Sequence, residues 1–133
     1  MATRSTIALE YADGTVGQIY CHWDGYLEHN GKILQAHYTD PFKVRALLDG
    51  GDTSTLADAV EDCEFYTKRG EELNPQRMYK DFQEYTREAQ FEEYDYILRR
   101  DGKWYVQFYG TDGEYLTIEA AFEFQKAKEA QYE

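Results

Sequence analysis

The sequence predicts an α+β domain: an antiparallel sheet built from hairpins, with helices packed mainly on one face. Three observations lead there. Runs of β-forming residues lie near both ends of the chain, around Asp13-Gly14 and Asp101-Gly102, which is the turn chemistry of hairpins. Between them stand Asp40-Pro41 and Asn74-Pro75, each a capping residue followed by a proline suited to a first helical turn. No repeat with a period of about 20–50 residues is visible, so the chain reads as one unit, residues 1–133.

The first hairpin joins residues 6–11 to residues 16–23. A two-residue loop, Asp13-Gly14, would place Ile7 opposite Tyr20 and scatter the apolar positions over both faces. A three-residue loop, Asp13-Gly14-Thr15, sets Leu9 opposite Ile19, Ile7 opposite Cys21 and Ser5 opposite Trp23, which gathers the apolar set on one side. Arg4, Thr6, Tyr20, His22 and Asp24 then share the other side, with Arg4 facing Asp24. Asn30-Gly31 reads as the cap of a short helix over residues 32–38, and Asp40-Pro41 opens a second helix that Gly50-Gly51 stops. In that second helix Val44, Leu47 and Leu48 recur at helical spacing and are expected against the sheet.

Residues 61–67 are expected to form a strand with Cys63 and Phe65 inward. Asn74-Pro75 is expected to start a helix running to Ala89, with Met78, Phe82, Tyr85 and Ala89 on its apolar face. Residues 94–100 and 103–109 form the clearest hairpin, turned by Asp101-Gly102 as a two-residue loop. Residues 114–118 add a third strand, and a helix over residues 119–131 brings Ala121 and Phe122 back onto the sheet.

The formal charge is -12, and it is uneven: residues 1–50 hold six acidic and four basic side chains, the remainder twenty and ten. A field of that sign repels phosphate backbones, which argues against direct nucleic-acid binding and for a basic partner surface. The two cysteines, Cys21 and Cys63, have no CxxC-type spacing and read as free thiols of a reducing compartment. No apolar run approaches the ~20 residues a membrane span requires, and no leader pattern is present, so the expected setting is cytoplasmic, with no membrane partner.

Within this frame the side chains that could meet a ligand are Arg4, Thr6, Tyr20, His22, Trp23, Asp24 and Tyr26. Arg4 suits a carboxylate or phosphate, His22 near an acid suits proton transfer, and the aromatic rings suit stacking on a base. The same residues make an exposed polar sheet face with a cross-strand ion pair, and Trp23-Asp24-Gly25-Tyr26 a buried turn. His22, His29 and His37 lack the spacing of a zinc site. Glu71, Glu72, Glu92, Glu93 and Asp95 lack the ligand pattern of a calcium loop and read as solvated acids, so neither metal nor cofactor is expected. Lys68-Arg69-Gly70 is one compact basic spot, read as a plain loop. No nucleophile has an identifiable base, and catalytic residues are not expected.

Thr3-Arg4-Ser5-Thr6-Ile7, then Ile19-Tyr20-Cys21-His22-Trp23-Asp24-Gly25-Tyr26 with Gly31 after it, and the later Asp101-Gly102-Lys103-Trp104-Tyr105-Val106, resemble a family of small bacteriophage proteins of uncharacterised activity that carry TRS near the start and an HWDGY motif. Leu27 stands where that family usually has proline, and the acidic middle of the chain falls outside the resemblance. The resemblance implies a phage origin and a host-cytoplasm setting.

Three functions are open on these grounds. The first is a non-enzymatic phage accessory protein that inhibits a host anti-phage defence or nucleic-acid-handling protein, presenting Glu71, Glu72, Glu84, Glu88, Glu92 and Glu93 as a nucleic-acid-mimicking surface. The second is sequestration of a small nucleotide-derived signal beside the HWDGY motif. The third is a small enzyme using His22 and Asp24 as an acid/base pair. Oligomeric state is not legible.

Overall fold

The structure is a computed structural model and describes residues 2–131. Its centre is one six-stranded sheet in the order β3-β2-β1-β4-β5-β6. Strands β1 (Ser5–Glu10) and β2 (Val16–Cys21) form the first hairpin, β4 (Tyr94–Leu98) and β5 (Trp104–Phe108) the second. Short β3 (Arg77–Tyr79) and β6 (Leu116–Thr117) close the two edges. Every neighbouring pair is antiparallel except β1 with β4, the seam where the hairpins join. The α+β class and the hairpin-built, mostly antiparallel sheet are as expected, and the parallel seam is what hairpin-by-hairpin reading could not supply.

Both hairpins turn by one device. In each, a three-residue loop ends in Asp-Gly: Tyr11 N–H donates to Thr15 O at 2.8 Å across Ala12-Asp13-Gly14, and Arg99 N–H donates to Lys103 O at 3.1 Å across Arg100-Asp101-Gly102. Gly14 and Gly102 hold φ of +91° and +82°, the left-handed last position that suits glycine in such loops. Asp13 Oδ1 accepts from Thr15 N–H and Asp101 Oδ1 from Lys103 N–H, so the residue after each glycine is tied back to the loop just before its strand begins.

The expected registers therefore shift. In the first hairpin Ile7 lies opposite Ile19 and Ser5 opposite Cys21, two places from expectation. A slide of two preserves the faces, so Ile7, Leu9, Ile19 and Cys21 still share one core side. The alignment of Arg4 with Asp24 is lost with it, because β2 ends at Cys21 and Asp24 turns away at φ 59°. In the second hairpin the extra loop residue sets Leu98, Tyr96 and Tyr94 opposite Trp104, Val106 and Phe108 on the same core side.

That core side is covered by α1 (Lys32–His37), α2 (Pro41–Asp49) and α4 (Ile118–Ala130). Asp40 caps α2 by accepting from Phe42 N–H at 2.9 Å, Pro41 occupies its first turn, and Val44, Leu47 and Leu48 are fully buried as their spacing predicted. Asn30, expected as a cap, instead lies buried at the end of a wide π-type turn, Leu27–Gly31, that runs into α1. Its amide donates to Ser5 Oγ and Cys21 Sγ. α4 begins at Ile118, capped by Thr117, and Ala121 packs on the sheet.

The middle of the chain departs most from expectation. Residues 61–67 form no strand: two short 3₁₀ turns, Val60–Asp62 and Tyr66–Arg69, flank Cys63 and Phe65, which do point into the core. Asn74-Pro75 starts no helix. The open outer edge of β2 recruits β3 from Arg77–Tyr79, leaving Met78 about half exposed. The helix begins later, at α3 (Phe82–Glu88), where Asp81 caps by accepting from Glu84 N–H at 2.8 Å. α3 alone covers the opposite face of the sheet, through Tyr85 and Phe82 over Ala8, Val16 and Ile97. Among the described residues no helix is long and apolar enough to cross a membrane.

Candidate functional site

The second face carries a polar row that crosses four strands. Register sets Tyr20 beside Thr6, Thr6 beside Asp95 and Asp95 beside Gln107, running β2-β1-β4-β5 just beyond the apolar patch under α3. Asp95 is the centre of the row and only 2% exposed. Its Oδ1 accepts from the Thr6 hydroxyl at 2.7 Å and from Glu92 N–H at 2.9 Å; neither bond uses Oδ2. Burial pushes this carboxyl up to about 7, against the pull of those two hydrogen bonds and of the Gln107 side chain, and the neighbouring Glu92 charge adds to the rise. A carboxyl that changes charge near neutrality, lying at a concave surface, is where binding or proton transfer is first looked for.

Two recesses flank it. On the β2 side a recess of about 220 Å³ is lined by Thr6, Gln18, Tyr20, Asp52, Arg77, Gln90 and Glu92. Its cation is committed: Arg77 Nη2 stands 2.9 Å from Asp52 Oδ1, which also accepts from Tyr20 N–H. On the β5 side a larger cleft of about 560 Å³ is walled by Phe91, Tyr94, Phe108 and Tyr109, with Glu92, Glu93, Asp95 and Gln107 as its polar groups. Behind Asp95, under α3, the hydroxyls of Tyr85 and Tyr115 are buried with no hydrogen-bond partner. Burial raises both tyrosines far above their ordinary range, and the Asp95 charge acts in the same direction.

The residues singled out from the sequence divide into two groups. Arg4, Thr6, Tyr20 and His22 do gather at one end of the second face: the Tyr20 hydroxyl and His22 Nδ1 share a hydrogen bond at 2.7 Å, and Arg4 lies near enough to Tyr20 to oppose the upward push of burial on its hydroxyl. Trp23, Asp24 and Tyr26 leave the sheet with the chain. Trp23 N–H donates to Ser54 O, Gly25 N–H donates to Thr3 O, and the buried Tyr96 hydroxyl donates to Gly25 O at 2.6 Å. A Cβ on Gly25 would stand 2.7 Å from Ser5 Cβ, so the close approach requires glycine. Trp23-Asp24-Gly25-Tyr26 is thus an anchored turn. Asp24 forms no ion pair with Arg4 or His22 among the described residues; its charge acts on the Tyr26 hydroxyl instead.

The acids separate too. Glu71 and Glu72 are exposed in the segment before β3. Glu84 accepts from Lys80 N–H at the start of α3, Glu88 pairs with Arg87, and Glu93 accepts from Arg4 N–H. Glu92 lines both recesses. Asp95, read as a solvated acid, is the opposite. Its sequence setting carried the signal: Tyr94-Asp95-Tyr96-Ile97-Leu98 places one acid in a strand whose other four residues are aromatic or aliphatic, three of them buried. No group of three or more potential metal ligands lies together among the described residues.

Comparison with protein-family models, with curated proteins and with solved structures finds no match to this chain.

Proposed function

We propose that this protein is a non-enzymatic accessory protein of bacteriophage type that acts in the host cytoplasm by binding a basic, nucleic-acid-handling host protein, such as a defence protein, through its acidic surface. One observation carries the reading: the charge surplus faces solvent. Among the described residues only Glu10 and Asp95 of the acids are buried, and only Glu10, Asp52, Glu88 and Glu123 form a salt bridge with a lysine or arginine. A surface of that kind attracts a cationic groove at long range and repels nucleic acid itself. Affinity purification from host lysate at low ionic strength tests it. A basic nucleic-acid-handling protein should be recovered, be released steeply as salt rises, and be lost when Glu71, Glu72 and Glu88 are replaced by lysine. Recovery of no such protein overturns the reading.

A second reading, capture of a small nucleotide-derived molecule, is favoured by the recess beside Thr6 and Tyr20, which contains Arg77. It requires a phosphate to displace Asp52 from Arg77. A nucleotide panel tests it through thermal stabilisation of the native protein.

A further inference from the structure

The larger cleft combines aromatic walls with carboxyl groups. Its walls include the rings of Phe91, Phe108 and Tyr109, and its polar groups include three carboxyls, Glu92, Glu93 and Asp95. Tyr109 is 94% exposed at the mouth of the cleft, with Lys128 Nζ 5.9 Å from its ring centroid. Around these carboxyls no lysine or arginine lines the cleft, so their charge is not neutralised within it. Phosphate is excluded from such a place by sign. A flat cation is favoured twice, by ring faces and by carboxylate oxygens.

We propose that this cleft is a socket for an arginine side chain of a protein partner, its guanidinium lying against Tyr109 and Phe91 and its N–H groups donating to the carboxyls of Glu93 and Asp95. The inference rests on the reading above, that the partner is basic, and adds which residue of the partner is held and where. Arginine rather than lysine fits because a planar fork can stack on a ring and bond two acceptors at once, whereas an ammonium is a hydrated point charge. Arginine and tyrosine are among the residues enriched where a few side chains carry most of the binding energy of a protein interface.

The surroundings of Asp95 give the socket a second readout. Thr6 from β1, Gln107 from β5, Glu92 from the preceding segment, Tyr85 from α3 and Tyr115 before β6 are the polar groups facing this carboxyl. None of these brings a positive charge, so an arriving guanidinium would favour the ionised form. Binding should therefore release a proton and tighten as pH rises from 6 to 8.

The experiment titrates the folded protein with two synthetic hexapeptides of equal charge, one alternating arginine with glycine and one alternating lysine with glycine. Amide resonances are followed at physiological salt. The arginine peptide should shift signals of residues 91–95 and 107–109 and bind about fivefold or more tightly than the lysine peptide. Tyr109→Ala and Glu93→Gln, both at exposed side chains, should each abolish that preference without altering the melting temperature, and Asp95→Asn should remove the pH dependence. Equal binding of the two peptides, or shifts spread over the acidic surface instead of the cleft, overturns the socket. Failure here is separable from failure of the wider reading: a host protein captured equally by wild type and by Tyr109→Ala leaves the acidic surface in place and removes the socket, while arginine-selective binding without a host partner does the reverse.

Discussion

The two faces of the sheet are built to opposite rules. Against α1, α2 and α4 the side chains are apolar and dry: Ile7, Ile19, Leu34, Val44, Leu47, Leu48 and Val106 show no exposure, and the polar atoms that enter are bonded, as with Trp104 Nε1 donating to Tyr38 O at 2.9 Å. Against α3 alone, a small apolar patch of Ala8, Val16, Ile97 and Tyr85 gives way to Thr6, Asp95 and Gln107 on one side and to Glu10 with Arg99 and Arg100 on the other. The first face stabilises the molecule at about 1.5–3 kcal/mol for each fully buried aliphatic side chain. The second gives up part of that burial, and at Asp95 it holds a group whose charge is close to balanced between two states. Both recesses that touch the polar row include residues of this thinly covered side, and the larger one also reaches Tyr94 and Phe108 of the core side.

The sharpest way to break the contrast is to cut into each face in turn. Leu47→Ala, on the three-helix side, should cost about 2–5 kcal/mol in urea unfolding, because the dense surroundings cannot close over the cavity. On the other side, Asp95 should show in the pH dependence of stability. Its carboxyl titrates near 7 in the folded protein against 3.8 for the ordinary group, so the folded state holds a proton that the unfolded chain has released. That contribution is complete below about pH 4 and is lost as pH rises through 7. Denaturant melts of wild type and Asp95→Asn from pH 4 to 8 should therefore diverge, wild type losing on the order of 2–4 kcal/mol relative to the variant.

Glu10 gives the opposite sign on the same face. Burial raises its carboxyl, but the hydrogen bond from Arg99 at 2.9 Å, the Arg100 N–H at 3.0 Å and both guanidinium charges outweigh it and hold it below the usual value. Its stabilisation is present above about pH 4.5 and fades as the pH falls through its lowered titration. Glu10→Gln should cost about 1–3 kcal/mol at pH 7, read by thermal or chemical melts, and little at pH 2. The smallest effect is the most diagnostic of an imperfectly satisfied region: Tyr85→Phe removes a buried hydroxyl that has no partner, and should leave stability within about 0.5 kcal/mol or raise it.

How much of this was legible depends on the range over which each signal acts. Asp40-Pro41, Gly50-Gly51 and the spacing of Val44, Leu47 and Leu48 are local, and α2 is where they put it. The hairpins were legible as hairpins, yet their registers moved, because Asp-Gly serves a two-residue and a three-residue loop equally well in sequence and only the pairing beyond the loop distinguishes them. Asn74-Pro75 looked like Asp40-Pro41 and behaved differently, since an unpaired edge of β2 offered residues 77–79 a ladder that a helix start had to compete against. At the candidate site, Thr6, Tyr20 and His22 were found from alternation along one hairpin. Their neighbour Asp95, 89 residues from Thr6, was not.

The sequence by itself determined the class of the fold, the turns of both hairpins, the apolar side of the first hairpin and the sign of the net charge. Those follow from turn chemistry, periodicity and charge, none of which reaches beyond a few residues. Only the tertiary structure decided that β1 and β4 lie side by side in parallel, and with that seam came everything particular to the polar row. Thr6, Asp95 and Gln107 sit on three strands, and whether an acid is solvated or sealed in depends on which strands become neighbours, a choice made by the packing of the whole sheet.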